Sequence, residues 1–243
     1  MSSRKKLLQG IDTFDFSSLK GRRVAVIANY TSIDKNGVSL VEKMVNSGLN
    51  VTAIFSPEHG FFPVAQDMEC VGTENKINGI PVFSLYGNSV GTLAPKDEYF
   101  DLFDIVVYDI QDIGCRSFTY ISTMGMLMEA CAQYGKELIV LDRPNPLGGL
   151  KIEGNLVEDG YISFVSQFKI PYVYGQTCGE LALYLNAQTD KPCRLTVIPM
   201  DGWRRDMTWE ETGLEWIVAS PHIPQAKTAY FYPATGKIGR AHV

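Results

Sequence analysis

The chain has 243 residues, 45% hydrophobic and 20% charged, with a formal net charge of -5. That make-up fits a globular protein of one large domain, and the acidic balance argues against a nucleic-acid binder, which carries a basic face. No apolar run approaches the ~18 residues of a membrane span. The basic start Arg4-Lys5-Lys6 runs into Gly10, Asp12 and Asp15 instead of the apolar stretch of a signal peptide, so a cytoplasmic protein is expected, or a periplasmic or secreted one if the N-terminus is incomplete.

In chain order, residues 22–29 read as a first strand, Arg-Arg-Val-Ala-Val-Ile-Ala-Asn. Ser39 then caps a helix whose Leu40, Val41, Met44 and Val45 share one face, and Gly48 stops it. Residues 51–55 form a second, β-branched strand that ends on Ser56-Pro57-Glu58-His59-Gly60. A strand that stops on Pro and then offers a carboxylate, an imidazole and a Gly reads as the rim of an active site, because ligands of open α/β sheets sit at strand carboxyl ends. A short strand is expected over 81–85 and a fully buried one over 104–109, then a helix over 120–134 closed by Gly135. Residues 137–141 form another apolar strand, closed by Asp142-Arg143-Pro144-Asn145. Thr177 and Glu180 make a capping box that opens a further helix, which favours a structural role for Glu180. A last strand is expected over 194–199.

Continuous apolar strands alternating with helices imply a mostly parallel sheet covered on both faces. The expected fold is therefore α/β, a Rossmann-like three-layer catalytic domain over 1–153, with 154–236 holding its remainder and the start of a smaller C-terminal domain. Right-handed crossovers bring Asn29, Glu58-His59, Asp109 to Asp112 and Asp142 to Asn145 to one edge. Four polar strand ends on one rim are a stronger signal than any single motif. No G-x-G-x-x-G, P-loop or G-x-S-x-G occurs, so nucleotide binding and the usual serine-hydrolase elbow are not indicated. The five cysteines, Cys70, Cys115, Cys131, Cys178 and Cys193, are odd in number and never in C-x-x-C spacing. With three histidines they suggest neither a disulfide framework nor a metal site, and no cofactor is expected.

Ser-Pro-Glu-His-Gly at 56–60 is followed in order by Ser84-Leu85-Tyr86-Gly87, Tyr108 to Gly114, Arg116-Ser117-Phe118-Thr119-Tyr120, Leu141 to Pro146, and Gly175 to Ala182. Together these resemble the peptidoglycan exo-β-N-acetylmuramidases of the NamZ type, over roughly Leu19 to Pro233. The resemblance implies a Rossmann-like domain and a smaller C-terminal domain, with the site between them. It also implies a glycoside hydrolase that removes N-acetylmuramic acid from the non-reducing end of peptidoglycan fragments in cell-wall turnover and recycling. The partner would be a muramic acid saccharide. Glu58 and His59 fall where that family's acidic motif lies. Tyr174-Gly175 stands where the family usually has His-Gly, and Ser220-Pro221-His222 where it usually has Ser-Pro-Asn. After Tyr232-Pro233 the family continues into a further domain, whereas Ile238 to Val243 match the read-through of a common sequencing adapter. Residues 237–243 are therefore expected to be non-native and the gene truncated.

Glycoside hydrolysis needs a proton donor to the leaving oxygen and a second group at the oxocarbenium-like centre. Glu58 is the candidate acid/base, with His59 orienting it or binding a hydroxyl. Asp109 and Asp112 are candidates for the second carboxylate, with Asp142 a third. The acetamido group of muramic acid also permits substrate-assisted attack, in which a carboxylate orients the amide. Its lactyl carboxylate calls for a bidentate cation, Arg116 or Arg143, each of which has a competing reading as a structural partner of Asp109, Asp112 or Asp142. Asn29, Tyr120, Asp142 and Asn145 complete the candidate substrate-binding set, and Tyr86 and Tyr120 are read either as sugar-stacking or as core rings. The alternatives to an exo-glycosidase are a non-catalytic muropeptide-binding protein and a hydrolase of another ester or amide bond.

Overall fold

A computed structural model describes residues 7–58, 60, 61, 75–85 and 95–239. His59, Phe62, Cys70 and Tyr86 lie outside the described residues. Seven strands form one sheet: β1 (Arg23–Ala28), β2 (Asn50–Ser56), β3 (Asn75–Ile77), β4 (Ile80–Ser84), β5 (Ile105–Asp109), β6 (Glu137–Leu141) and β7 (Arg194–Ile198). Their order is β3-β4-β2-β1-β5-β6-β7, and every neighbouring pair is parallel except the β3–β4 hairpin. The hairpin turns on Asn78-Gly79, with Asn78 at φ 50°. Such a left-handed turn matches the twist of paired strands.

The strands read as unbroken apolar runs because both faces are buried. Ala25, Ile27, Phe55, Val106, Tyr108, Leu138 and Val140 point to one side. There they pack with α3 (Tyr120–Tyr134), α4 (Cys178–Gln188) and Ala229 of α6 (Ala226–Gly239). The alternating residues Val24, Val26, Ile54, Ile105, Val107, Ile139 and Leu141 point to the other side, against α1 (Gly10–Thr13) and α2 (Leu40–Asn46). A seven-residue helix such as α2 is not stable alone. It is held by burying Leu40, Val41 and Met44, at about 1.5–3 kcal/mol each. The short α5 (Trp209–Thr212) lies beyond β7. Among the described residues, no helix is long and apolar enough to cross a membrane.

The N-terminal segment is laced across the carboxyl ends of β6 and β7. Leu8 exchanges two 2.9 Å backbone hydrogen bonds with Asp201, the Gly10 N–H donates to the Asp142 carbonyl at 2.8 Å, and Thr13 Oγ1 donates to the Pro199 carbonyl at 3.1 Å. Gly10 is required here, because a Cβ would stand 2.4 Å from the Asp142 backbone nitrogen and 2.7 Å from the Ile198 oxygen.

Candidate active site

The sheet order reverses direction between β1 and β5, and at that switch point the neighbouring connections part to leave a crevice. Asn29 to Ser32 follow β1, Glu58 follows β2, Asp109 ends β5 and leads to Asp112, and Asp142 to Asn145 follow β6. The rim expected from the strand pattern is thus assembled, and each of its groups has a distinct environment.

Glu58 is buried, and its Oε2 accepts a hydrogen bond from Thr119 Oγ1. Thr119 is the N-cap of α3, yet its hydroxyl does not cap the helix. It turns to the carboxylate instead, which places Glu58 at the positive end of a 15-residue helix. Beside it the Tyr120 hydroxyl accepts from Asn29 Nδ2 at 3.3 Å and donates to the Ala219 carbonyl at 2.7 Å. Burial first, then the neighbouring Tyr30 and Glu58, hold the Tyr120 hydroxyl in its protonated form. Asn29 Oδ1 in turn accepts from the backbone N–H of Thr31 at 2.9 Å and from its hydroxyl at 2.6 Å. Asn29 and Tyr30 line a cleft of about 680 Å³ with Phe61 and Ile77. The Tyr30 hydroxyl is buried without a hydrogen-bond partner.

Asp112 is buried near the same Tyr120 hydroxyl. Its Oδ1 accepts from the Tyr174 hydroxyl and from the Gly114 N–H at 2.8 Å, and its Oδ2 is buried with no partner. Burial pushes its carboxyl up to about 6, against the lowering effect of the Tyr174 and backbone bonds. The turn that follows needs glycine: Gly114 has φ +81°, and a Cβ there would stand 2.1 Å from Asn145 Oδ1.

Other residues of the expected set hold the rim together. Asp109 and Arg143 are 0% and 4% exposed and satisfy one another, with Arg143 Nε and Nη2 donating to the two carboxylate oxygens at 2.5 and 2.9 Å. Arg143 also donates to Gln9 Oε1 at 2.7 Å and to the Ile33 carbonyl at 3.1 Å. Both oxygens of Asp109 face the buried guanidinium, which is the structural-pair reading of Arg143 and favours a pairing role over a catalytic one for Asp109. Asp142 accepts from the Gly179 N–H at 2.7 Å and Thr177 Oγ1 at 2.9 Å, bracing the start of α4, and burial pushes its carboxyl up to about 6. Asn145 donates to the Gln176 carbonyl and accepts from the Leu147 N–H, both at 2.9 Å, which makes it a loop brace. Arg116 meets none of the three aspartates. Its Nη1 donates to the Asn155 and Ile170 carbonyls at 2.7 and 2.5 Å, and the guanidinium lies 5.6 Å from the Tyr172 ring centroid.

The structure therefore brings together Glu58, Asn29, Tyr120 and Asp112, and sets Asp109, Asp142, Arg143 and Asn145 in the walls behind them. Thr119, Tyr30 and Tyr174 are additions that sequence reasoning did not single out for the site. Thr119 carries a local signal as a cap-type residue directly before a helix, and Tyr174 stands out as the departure from the family's usual His-Gly. A separate cleft of about 670 Å³ between Leu147, Tyr172, Met207 and Tyr230 includes none of the rim carboxylates.

These features define an α/β domain with buried carboxylates gathered at the carboxyl ends of its central strands. Residues 24–227 match the family described as Exo-beta-N-acetylmuramidase NamZ, N-terminal, and the chain belongs to that family. It is 40% identical over 242 residues to the peptidoglycan beta-N-acetylmuramidase NamZ of Bacillus subtilis (strain 168), covering 98% of this chain and 58% of that protein. Among solved structures, a DUF1343 family protein from Bacteroides fragilis NCTC 9343 is 51% identical with a TM-score of 0.88, over 98% of this chain and 61% of that one. A second protein of that family from the same organism is 34% identical with a TM-score of 0.79, over 94% and 60%. The chain thus spans 58 to 61% of the length of these relatives.

Proposed function

We propose that this chain carries the catalytic site of an exo-acting β-N-acetylmuramidase, which frees a terminal N-acetylmuramic acid from peptidoglycan fragments. The observation that carries the reading is that two buried carboxyls, Glu58 and Asp112, both act on the buried Tyr120 hydroxyl at the carboxyl ends of the central strands. Kinship with a relative named for β-N-acetylmuramidase activity supports the substrate class.

Glu58 is the general acid. It protonates the glycosidic oxygen as the bond to the leaving sugar breaks, and Thr119 holds its other oxygen in place. Asp112 is the second carboxylate. With Oδ1 pinned by Tyr174 and Gly114, Oδ2 is the atom that takes the acetamido N–H and lets the amide carbonyl oxygen attack the anomeric carbon. Asn29 donates to the Tyr120 hydroxyl, on which both carboxyls act.

The test is turnover of a chromogenic glycoside capped by N-acetylmuramic acid. Glu58→Gln abolishes release while the melting temperature stays within a few degrees of the parent. Near-normal turnover in that variant would remove Glu58 from the chemistry. Saturable binding of the disaccharide with no release by the parent chain would place it in the alternative class, a muropeptide-binding protein.

A further inference from the structure

Asp112 differs from the other rim carboxyls in what faces it. Asp109 has Arg143, Asp142 has the Gly179 N–H and the Thr177 hydroxyl at the start of α4, and Glu58 has Thr119. The titratable groups around Asp112 are Tyr108 on β5, Tyr120 on α3, Cys115 in the loop after β5, Cys178 at the start of α4, and Tyr174. All five are neutral near pH 7, and burial raises each of them further. Among the described residues, no cation acts on the Asp112 carboxyl. Tyr174 is the one side chain among the described residues that donates to the Asp112 carboxyl; the other donors are backbone N–H groups.

Tyr174 is also well fixed for that task. It is 3% exposed, so burial restricts its ring, and the preceding Val173 is bridged to both Cys115 and Glu153, which fixes the backbone that carries it. A hydroxyl that donates to a carboxylate stabilises the charged form, and inside a low-dielectric wall it is the main counterweight to burial.

We propose that Tyr174 is a positioning residue that keeps Asp112 available as a carboxylate at neutral pH, and so sets the acidic edge of the activity profile. The second clause rests on the reading of Asp112 as a group in the hydrolysis. The first does not.

The variant is Tyr174→Phe, which keeps the ring and removes the donor. The Asp112 titration is read by NMR of aspartate labelled at the side-chain carboxyl carbon, with Asp112→Asn supplying the assignment. The midpoint is expected to rise by about one to two pH units, the value of a hydrogen bond to a charged acceptor. The acid limb of kcat against pH should move to higher pH by the same amount, with KM little changed. In the unmutated protein, the Tyr174 ring carbon that bears the hydroxyl should show an inflection at the Asp112 midpoint. An unmoved Asp112 titration, or a Tyr174 ring carbon blind to that midpoint, would overturn the assignment. A shifted titration with an unshifted activity profile would keep Tyr174 as the group that sets Asp112 and remove Asp112 from the reaction, which separates this inference from the functional reading it builds on.

Discussion

Replacing Asp109 by Asn separates a structural from a catalytic role for the most deeply buried carboxylate of the rim. The exchange removes the charge but little volume, and it leaves the Arg143 guanidinium, 4% exposed, with Gln9 and the Ile33 carbonyl as its remaining acceptors. Removing one partner of a buried pair strands the other charge, at a cost of about 3–5 kcal/mol. A domain of this kind has a total stability of about 5–15 kcal/mol, so the variant folds but melts early. The assay is urea denaturation followed by circular dichroism, for Asp109→Asn, Arg143→Met and the double variant. The double variant should be more stable than Asp109→Asn alone, since removing the guanidinium leaves no buried charge stranded. Turnover at a temperature where Asp109→Asn is folded should track the folded fraction. A loss below about 1 kcal/mol, or a folded variant without activity, would refute the reasoning and return Asp109 to the chemistry.

Gly114→Ala should cost about 1–3 kcal/mol for its left-handed backbone, and more for the collision with Asn145; an unchanged thermal midpoint would show that the turn is not constrained. The raised carboxyls of Asp112 and Asp142, each about 6 against 3.8 in the unfolded chain, contribute stability that is fully present below pH 3.8 and is lost as pH rises through 6. Asp142→Asn should therefore flatten the fall in urea midpoint between pH 4 and pH 7 relative to the parent, and equal slopes would contradict the burial argument. Burial pushes the Cys115 thiol up to about 11 and Cys131 and Cys178 higher still. All three should react with a disulfide reagent at pH 8 only as the protein unfolds, and fast labelling of the native form would count against the core packing.

Much of the scaffold is legible because each central strand is buried on two faces, so that Val24 to Ala28 and Ile105 to Tyr108 appear as unbroken apolar runs. The capping box of Thr177 and Glu180 and the Gly135 stop are local signals and were read as they stand in the structure. The β3–β4 hairpin was half missed: β4 was expected, but the Asn78-Gly79 turn that marks its partner was passed over. The site divided along the same line. Which residues reach the rim follows from strand ends and is written in order along the chain. Which of them are consumed by one another is not, because Arg143 finds Asp109 from 34 positions away and Tyr174 finds Asp112 from 62. Such pairings depend on the adjacency of β5 and β6 and on the path of the loop before α4, neither of which leaves a periodicity to read.

The lacing of the N-terminal segment has a consequence for synthesis. Thr13 bonds to Pro199 across 186 positions, and the Leu8–Asp201 pairing spans still more. At about 5–20 residues per second, the first residues made wait about 10–40 s for their partners to be translated. The Gln9–Arg143 bond spans 134 positions, so it too waits until β6 and the residues after it are made. The nascent chain can build the β1–β2 pair and the α3 face early, but the rim is among the last parts to close, so this is the stage at which a growing chain exposes its buried charges to chaperones and proteases.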